Sequence, residues 1–130
     1  MVYGIDEWGG SNGKTGFIVS VDKDKEGRAG SDAGDTPNLK TKKWTQLAAT
    51  YDGKEMKLYY DGKVEAEKGI KGKIDTNDVP VSIGKNSEGS REHYIGLIDE
   101  VAIWKVALNQ NEIQEAMKRV YAIEPQSKLS

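Results

Sequence analysis

Residues 54–62, Lys54-Glu55-Met56-Lys57-Leu58-Tyr59-Tyr60-Asp61-Gly62, decide the fold. Met56, Leu58 and Tyr60 share one parity and Lys57 and Tyr59 the other, which is the period of a strand with one buried face. Asp61-Gly62 tolerates the positive φ angles of a type I′ turn. Beyond it, Val64 and Ala66 alternate with Glu65 and Glu67, closing a hairpin. Upstream, Tyr51-Asp52-Gly53-Lys54 is a second turn, preceded by a strand expected over 44–51. Three consecutive antiparallel strands are therefore legible.

The rest of the chain follows the same grammar. Phe17, Val19 and Val21 alternate with Ile18 and Ser20 in one further strand, and Val79, Val81 and Ile83 in a short one. Residues 94–104 hold the longest apolar stretch and read as two strands or one bent strand. Segments 9–16 and 22–43 are rich in Gly, Asp, Lys and Ser and read as loops, with a weak strand near 28–33. Asp22-Lys23-Asp24-Lys25-Glu26-Gly27 opens like an EF-hand loop, but its twelfth position is Ala33 and no helices flank it, so a hairpin turn is the better reading. A single helix is expected after Asn109, a good N-cap. Glu112 completes a capping box, Leu108 and Ile113 form a staple, and Ile113, Ala116, Met117 and Val120 form an apolar stripe. The polar stretch after Glu124-Pro125 reads as a frayed tail over 125–130.

Composition narrows the function classes. The 130 residues carry 19 Lys plus Arg against 21 Asp plus Glu, a net charge of −2, which provides no basic field for nucleic acid or an anionic membrane. No apolar run approaches about 18 residues, so no bilayer insertion is expected. The Met1 start lacks the basic and apolar regions of a signal peptide. Cysteine is absent, which removes disulfides, thiol nucleophiles and Cys-based zinc sites without fixing the compartment.

The stretch from Trp44 to Ile113 resembles the laminin-G-like, concanavalin A-like jelly-roll superfamily. Five pieces carry the resemblance in order: 44–53 (WTQLAATYDG), 56–63 (MKLYYDGK), 81–84 (VSIG), 96–104 (GLIDEVAIW) and 107–113 (ALNQNEI). It implies an all-β fold: an antiparallel jelly-roll β-sandwich with one short C-terminal helix, spanning residues 1–124. Members normally carry several more strands before the segment that residues 1–21 occupy. The expectation is thus an N-terminally truncated sandwich, completed by strand exchange or edge pairing in a homo-oligomer.

Catalysis is not expected. His93 is the only histidine, with no triad around it, and the paired-carboxylate spacing of the superfamily's glycosidases is missing from 92–100. Calcium is the candidate cofactor. Asp99 shares its parity with Ile95, Leu97, Val101 and Ile103, and a carboxylate buried among them calls for a cation or hydrogen bonds. By position it resembles an acid that helps hold a structural calcium in related jelly rolls. Asn86 and Glu88, in the loop after the 81–84 strand, stand where pentraxins of the same superfamily hold calcium, though the loop offers few of the six to eight oxygens required. Sugar binding is the natural role for such a sandwich, aromatic faces stacking on pyranose rings while acids and amides take the hydroxyls. Trp8, beside a Gly-rich loop, and Tyr59, on the outward parity of its strand, are the candidate stacking residues. Asn86 and Glu88 are the candidate polar contacts, while Trp44 and Trp104 are expected in the core. The resulting expectation is a non-catalytic module of an extracellular or cell-surface protein that binds a glycan or polysaccharide. The alternative is a structural or adhesion module acting through exposed strand edges.

Overall fold

The computed structural model describes residues 3–6, 15–30, 38–86 and 93–127. Two three-stranded antiparallel sheets face each other. The first is β1 (Tyr3–Asp6), β2 (Gly16–Val21) and β3 (Lys25–Gly30), and the second is β4 (Leu47–Tyr51), β5 (Glu55–Tyr60) and β6 (Lys63–Gly69). Helix α1 (Gln110–Ser127) follows. Each sheet is a plain meander, so neighbouring strands are also consecutive in the chain. The expected all-β antiparallel sandwich with a C-terminal helix is the fold observed.

The alternation read in the sequence sets which side chains meet. Met56, Leu58 and Tyr60 of β5 face Phe17, Val19 and Val21 of β2 and Ala29 of β3 in one buried cluster. Leu47, Ala49, Tyr51, Ala66, Ile70 and Ile74 pack around it. Met56, Leu58, Val19 and Val21 are wholly removed from solvent, each worth about 1.5–3 kcal/mol of transfer free energy. At one end, the Tyr60 hydroxyl lies 2.6 Å from Thr15 Oγ1 and accepts the Thr15 amide at 3.3 Å, satisfying two buried hydroxyls together.

The turns have the chemistry their residues predict. Asp61 (φ 49°) and Gly62 (φ 76°) are both left-handed, as a type I′ turn requires. Asp22 (φ 51°) and Lys23 (φ 67°) turn β2 into β3, so the EF-hand-like opening is a hairpin turn. Past β6 the chain runs back along this turn and stitches the sheets together. Asp22 N–H donates to Lys73 O at 3.1 Å, Asp75 N–H to Ser20 O at 3.0 Å, Lys73 N–H to Asp22 Oδ1 at 3.0 Å and Lys23 N–H to Asp75 Oδ1 at 2.8 Å.

Several expectations are corrected. β3 starts at Lys25 rather than near Arg28, because pairing with β2 recruits Lys25, Glu26 and Gly27 despite their poor strand propensity. β4 starts at Leu47, three residues inside the expected strand, and Trp44 before it is 60% exposed rather than core. Residues 79–83 and 94–104 form no ladder; beside them Lys85 and His93 make an isolated bridge and Tyr94 N–H donates to Gly84 O at 2.8 Å. Trp104, expected in the core, is 58% exposed for the same reason. α1 keeps its capping box, with Glu112 N–H on Asn109 Oδ1 at 3.0 Å and Asn109 N–H on Glu112 Oε2 at 2.8 Å. The helix runs from Gln110 to Ser127, past Glu124-Pro125.

Candidate functional site

Strand alternation puts Glu55, Lys57 and Tyr59 on the face of β5 that turns away from the core, with Thr50 paired across to Lys57. The segment Ala107–Asn109, which leads into α1, lies over this face. Between them is a cleft of about 180 Å³ lined by Thr50, Asp52, Glu55, Lys57, Tyr59, Ala107, Leu108 and Asn109. The helix is fastened to the same sheet by Gln114, whose side-chain amide donates to Gly62 O at 2.9 Å, and by the buried Ile113.

The polar wall is organised by the hairpin turn. Asp52 Oδ1 accepts the amides of Lys54 and Glu55, both at 2.8 Å. These bonds, the Glu55 amide foremost, hold the Asp52 carboxyl below its usual 3.8. Lys57 Nζ lies 3.1 Å from Glu55 and 3.9 Å from Glu67. Its ammonium is held above the usual 10.5, chiefly by the hydrogen bond to Glu55. At neutral pH the cleft therefore presents two carboxylates, one ammonium, a hydroxyl and an amide over an apolar floor. Such a surface can bind a polyhydroxylated ligand through several directed hydrogen bonds at once.

Asp52 also makes a pH prediction. Its folded pKa is depressed, so its stabilising contribution is present above the unfolded value of 3.8 and disappears as pH falls through the folded value. Asp52→Asn keeps the acceptor oxygen but removes the titration. Chemical denaturation from pH 6 down to about pH 2 should show a smaller acid loss of stability in Asp52→Asn than in the parent chain.

The sequence-derived site residues separate. Tyr59 has the outward parity expected, yet it is buried, 3% exposed, with Ala107–Asn109 lining the same cleft. It is the floor of the cleft, not a free stacking platform. Asp99 is exposed and, among the described residues, accepts only the next amide, Glu100 N–H at 2.8 Å. The burial among apolar neighbours that called for a cation is absent, because residues 94–104 do not enter a sheet. Asn86 is half-buried at the start of the loop closed by the Lys85↔His93 bridge. Trp8 and Glu88 lie outside the described residues. Among the described residues no three acids or histidines gather where they could hold a metal ion. Thr50, Asp52, Glu55, Lys57 and Asn109 carry no site signal in the sequence. Asp52 and Asn109 read locally as a turn and a cap, and their proximity depends on a contact across more than fifty residues.

Residues 4–114 match the family model of the concanavalin A-like lectin/glucanases superfamily, laminin-G type. The chain belongs to this superfamily. That description spans sugar-binding and sugar-cleaving members alike. Over 80 residues the chain is 35% identical to human pappalysin-1 and 34% identical to the mouse protein, covering 58% of this chain but 5% of each relative. A solved S-layer domain-containing protein from Clostridium thermocellum superposes with a TM-score of 0.54 at 24% identity, over 79% of this chain and 51% of that one. That likeness shows the fold. Among the described residues no helix is long and apolar enough to cross a membrane.

Proposed function

We propose that this domain is a non-catalytic carbohydrate-binding module of an extracellular or cell-surface protein, and that the cleft beneath Ala107–Asn109 takes the sugar. The observation that carries the reading is the composition of the cleft, with Asp52, Glu55, Lys57, Thr50 and Asn109 around Tyr59 and Leu108. Superfamily membership supports it. Binding rather than cleavage fits a cleft whose two carboxylates are already engaged, Asp52 by two turn amides and Glu55 by Lys57. Calcium dependence would rest on Asp99, Asn86 and Glu88. Of these, Asp99 is exposed and accepts the Glu100 amide.

A glycan array probed with and without EDTA tests both parts. The expected result is a defined set of positive glycans whose signal falls about tenfold or more in Lys57→Ala, with the melting temperature held within a few degrees. Trp8→Ala in the same experiment reports whether the 9–16 loop adds a stacking contact. Silence across the array overturns the sugar reading, and an unchanged signal in EDTA overturns the calcium part alone.

A further inference from the structure

Among the described residues, the exposed large apolar side chains concentrate away from the core, in the two ladder-free segments 79–83 and 94–106. Ile95 is 96% exposed, Leu97 77%, Val81, Ile103 and Val106 67% each, and Ile83, Trp104, Tyr94 and Val101 all more than half. The two segments meet where Tyr94 N–H donates to Gly84 O at 2.8 Å and Ile98 Cδ1 comes within 3.6 Å of the Cβ position at Gly84. Nine large apolar side chains more than half exposed in two adjoining segments differ from the singly scattered exposure of an ordinary monomer surface.

The backbone makes the same point independently. Among the described residues, the one hydrogen bond from an amide of residues 95–106 is local, Glu100 N–H to the Asp99 side chain. Exposed chain outside any ladder, with apolar side chains and unpaired backbone groups, can serve as a template for another strand. Its charges favour one partner in particular. Residues 94–106 carry Asp99, Glu100 and Lys105 among apolar neighbours. Antiparallel pairing of the segment with its own copy about Ala102 sets Lys105 of each chain opposite Asp99 of the other, and Val101 opposite Ile103. The two-fold axis makes each pair twice. Glu100, left-handed at φ 55° in the single chain, takes extended backbone when this ladder forms, since an extra residue there would carry Asp99 out of register with Lys105.

We propose that residues 94–106 are the self-association surface of this domain, forming a two-fold antiparallel strand pair with a second copy in the Ala102-centred register. Light scattering after size exclusion should give a concentration-dependent species of twice the 14.3 kDa of one chain. Ile103→Lys, which places a charge at the middle of the interface, should weaken association about a hundredfold without lowering the melting temperature at high dilution. Asp99→Lys and Lys105→Asp should each weaken it roughly tenfold, since each single change sets like charges opposite one another in two symmetric pairs. The double variant Asp99→Lys/Lys105→Asp should return to within about threefold of the parent. A monomer at all concentrations overturns the proposal. So does a dimer that tolerates Ile103→Lys, or one in which the double charge reversal fails to restore association. Glycan binding is read separately, on the array, so either proposal can fail while the other stands.

Discussion

Met56→Ala should destabilise the domain by about 2–5 kcal/mol, the range for truncating a long buried side chain whose cavity cannot collapse. Met56 is fully excluded from water and sits on β5, the central strand of its sheet. It faces β3, where its sulfur lies 2.8 Å from the position a Cβ would take at Gly27. Removing the side chain empties the space between the two sheets rather than a margin that solvent can fill. Denaturant unfolding followed by tryptophan fluorescence and circular dichroism checks this. The midpoint should fall with the denaturant slope unchanged, because the surface exposed on unfolding hardly differs. A loss below about 1 kcal/mol would mean the sheets close over the gap, contrary to a close-packed seam.

Gly27→Ala addresses the same seam from the other side. An added methyl at Gly27 would stand 2.8 Å from Ile70 Cγ2 and 2.8 Å from Met56 Sδ, with Ile70 Cδ1 at 3.0 Å. Since Met56 has no exposed direction in which to withdraw, the expected cost is about 1–3 kcal/mol from overpacking. The two changes should also compensate. Combined with Met56→Ala, the Gly27→Ala methyl enters space the truncation has opened, so the double variant should be more stable than the sum of the single effects predicts. Strict additivity in that cycle would show that the two residues do not share one packing site.

The part of the fold that was legible is the part governed by local rules. The 56–60 alternation, the Asp61-Gly62 turn and the Asn109/Glu112 capping box each depend on residues within a few positions, and each is present with the geometry those residues dictate. What failed is instructive in the same terms. Residues 94–104 have strong strand propensity and lack a strand, because a strand is a property of a pair and these residues have no partner among the described ones. Trp44 and Trp104 were assigned to the core on the same pattern and stand exposed. Tyr59 failed differently, its face being right and its accessibility wrong, since α1 and its leader return to cover a surface that β5 alone would leave open. The candidate cleft was illegible for that reason. Its walls come from the β4–β5 hairpin and from Ala107–Asn109, and period-two or period-3.6 patterns do not record which distant segments meet.

The stitching of residues 70–75 onto the β2–β3 turn has a consequence for how the molecule divides. Each sheet closes on itself within a short run of chain, 3–30 for one and 47–69 for the other. They are joined by the seam of buried side chains, against which Leu39 also packs, and by the Asp22–Lys73 and Ser20–Asp75 hydrogen bonds. All seven buried residues of that seam belong to the two sheets themselves. A cut in the chain between the sheets would turn an intramolecular docking into a bimolecular one, raising its cost through effective concentration while leaving the buried contacts of the seam available.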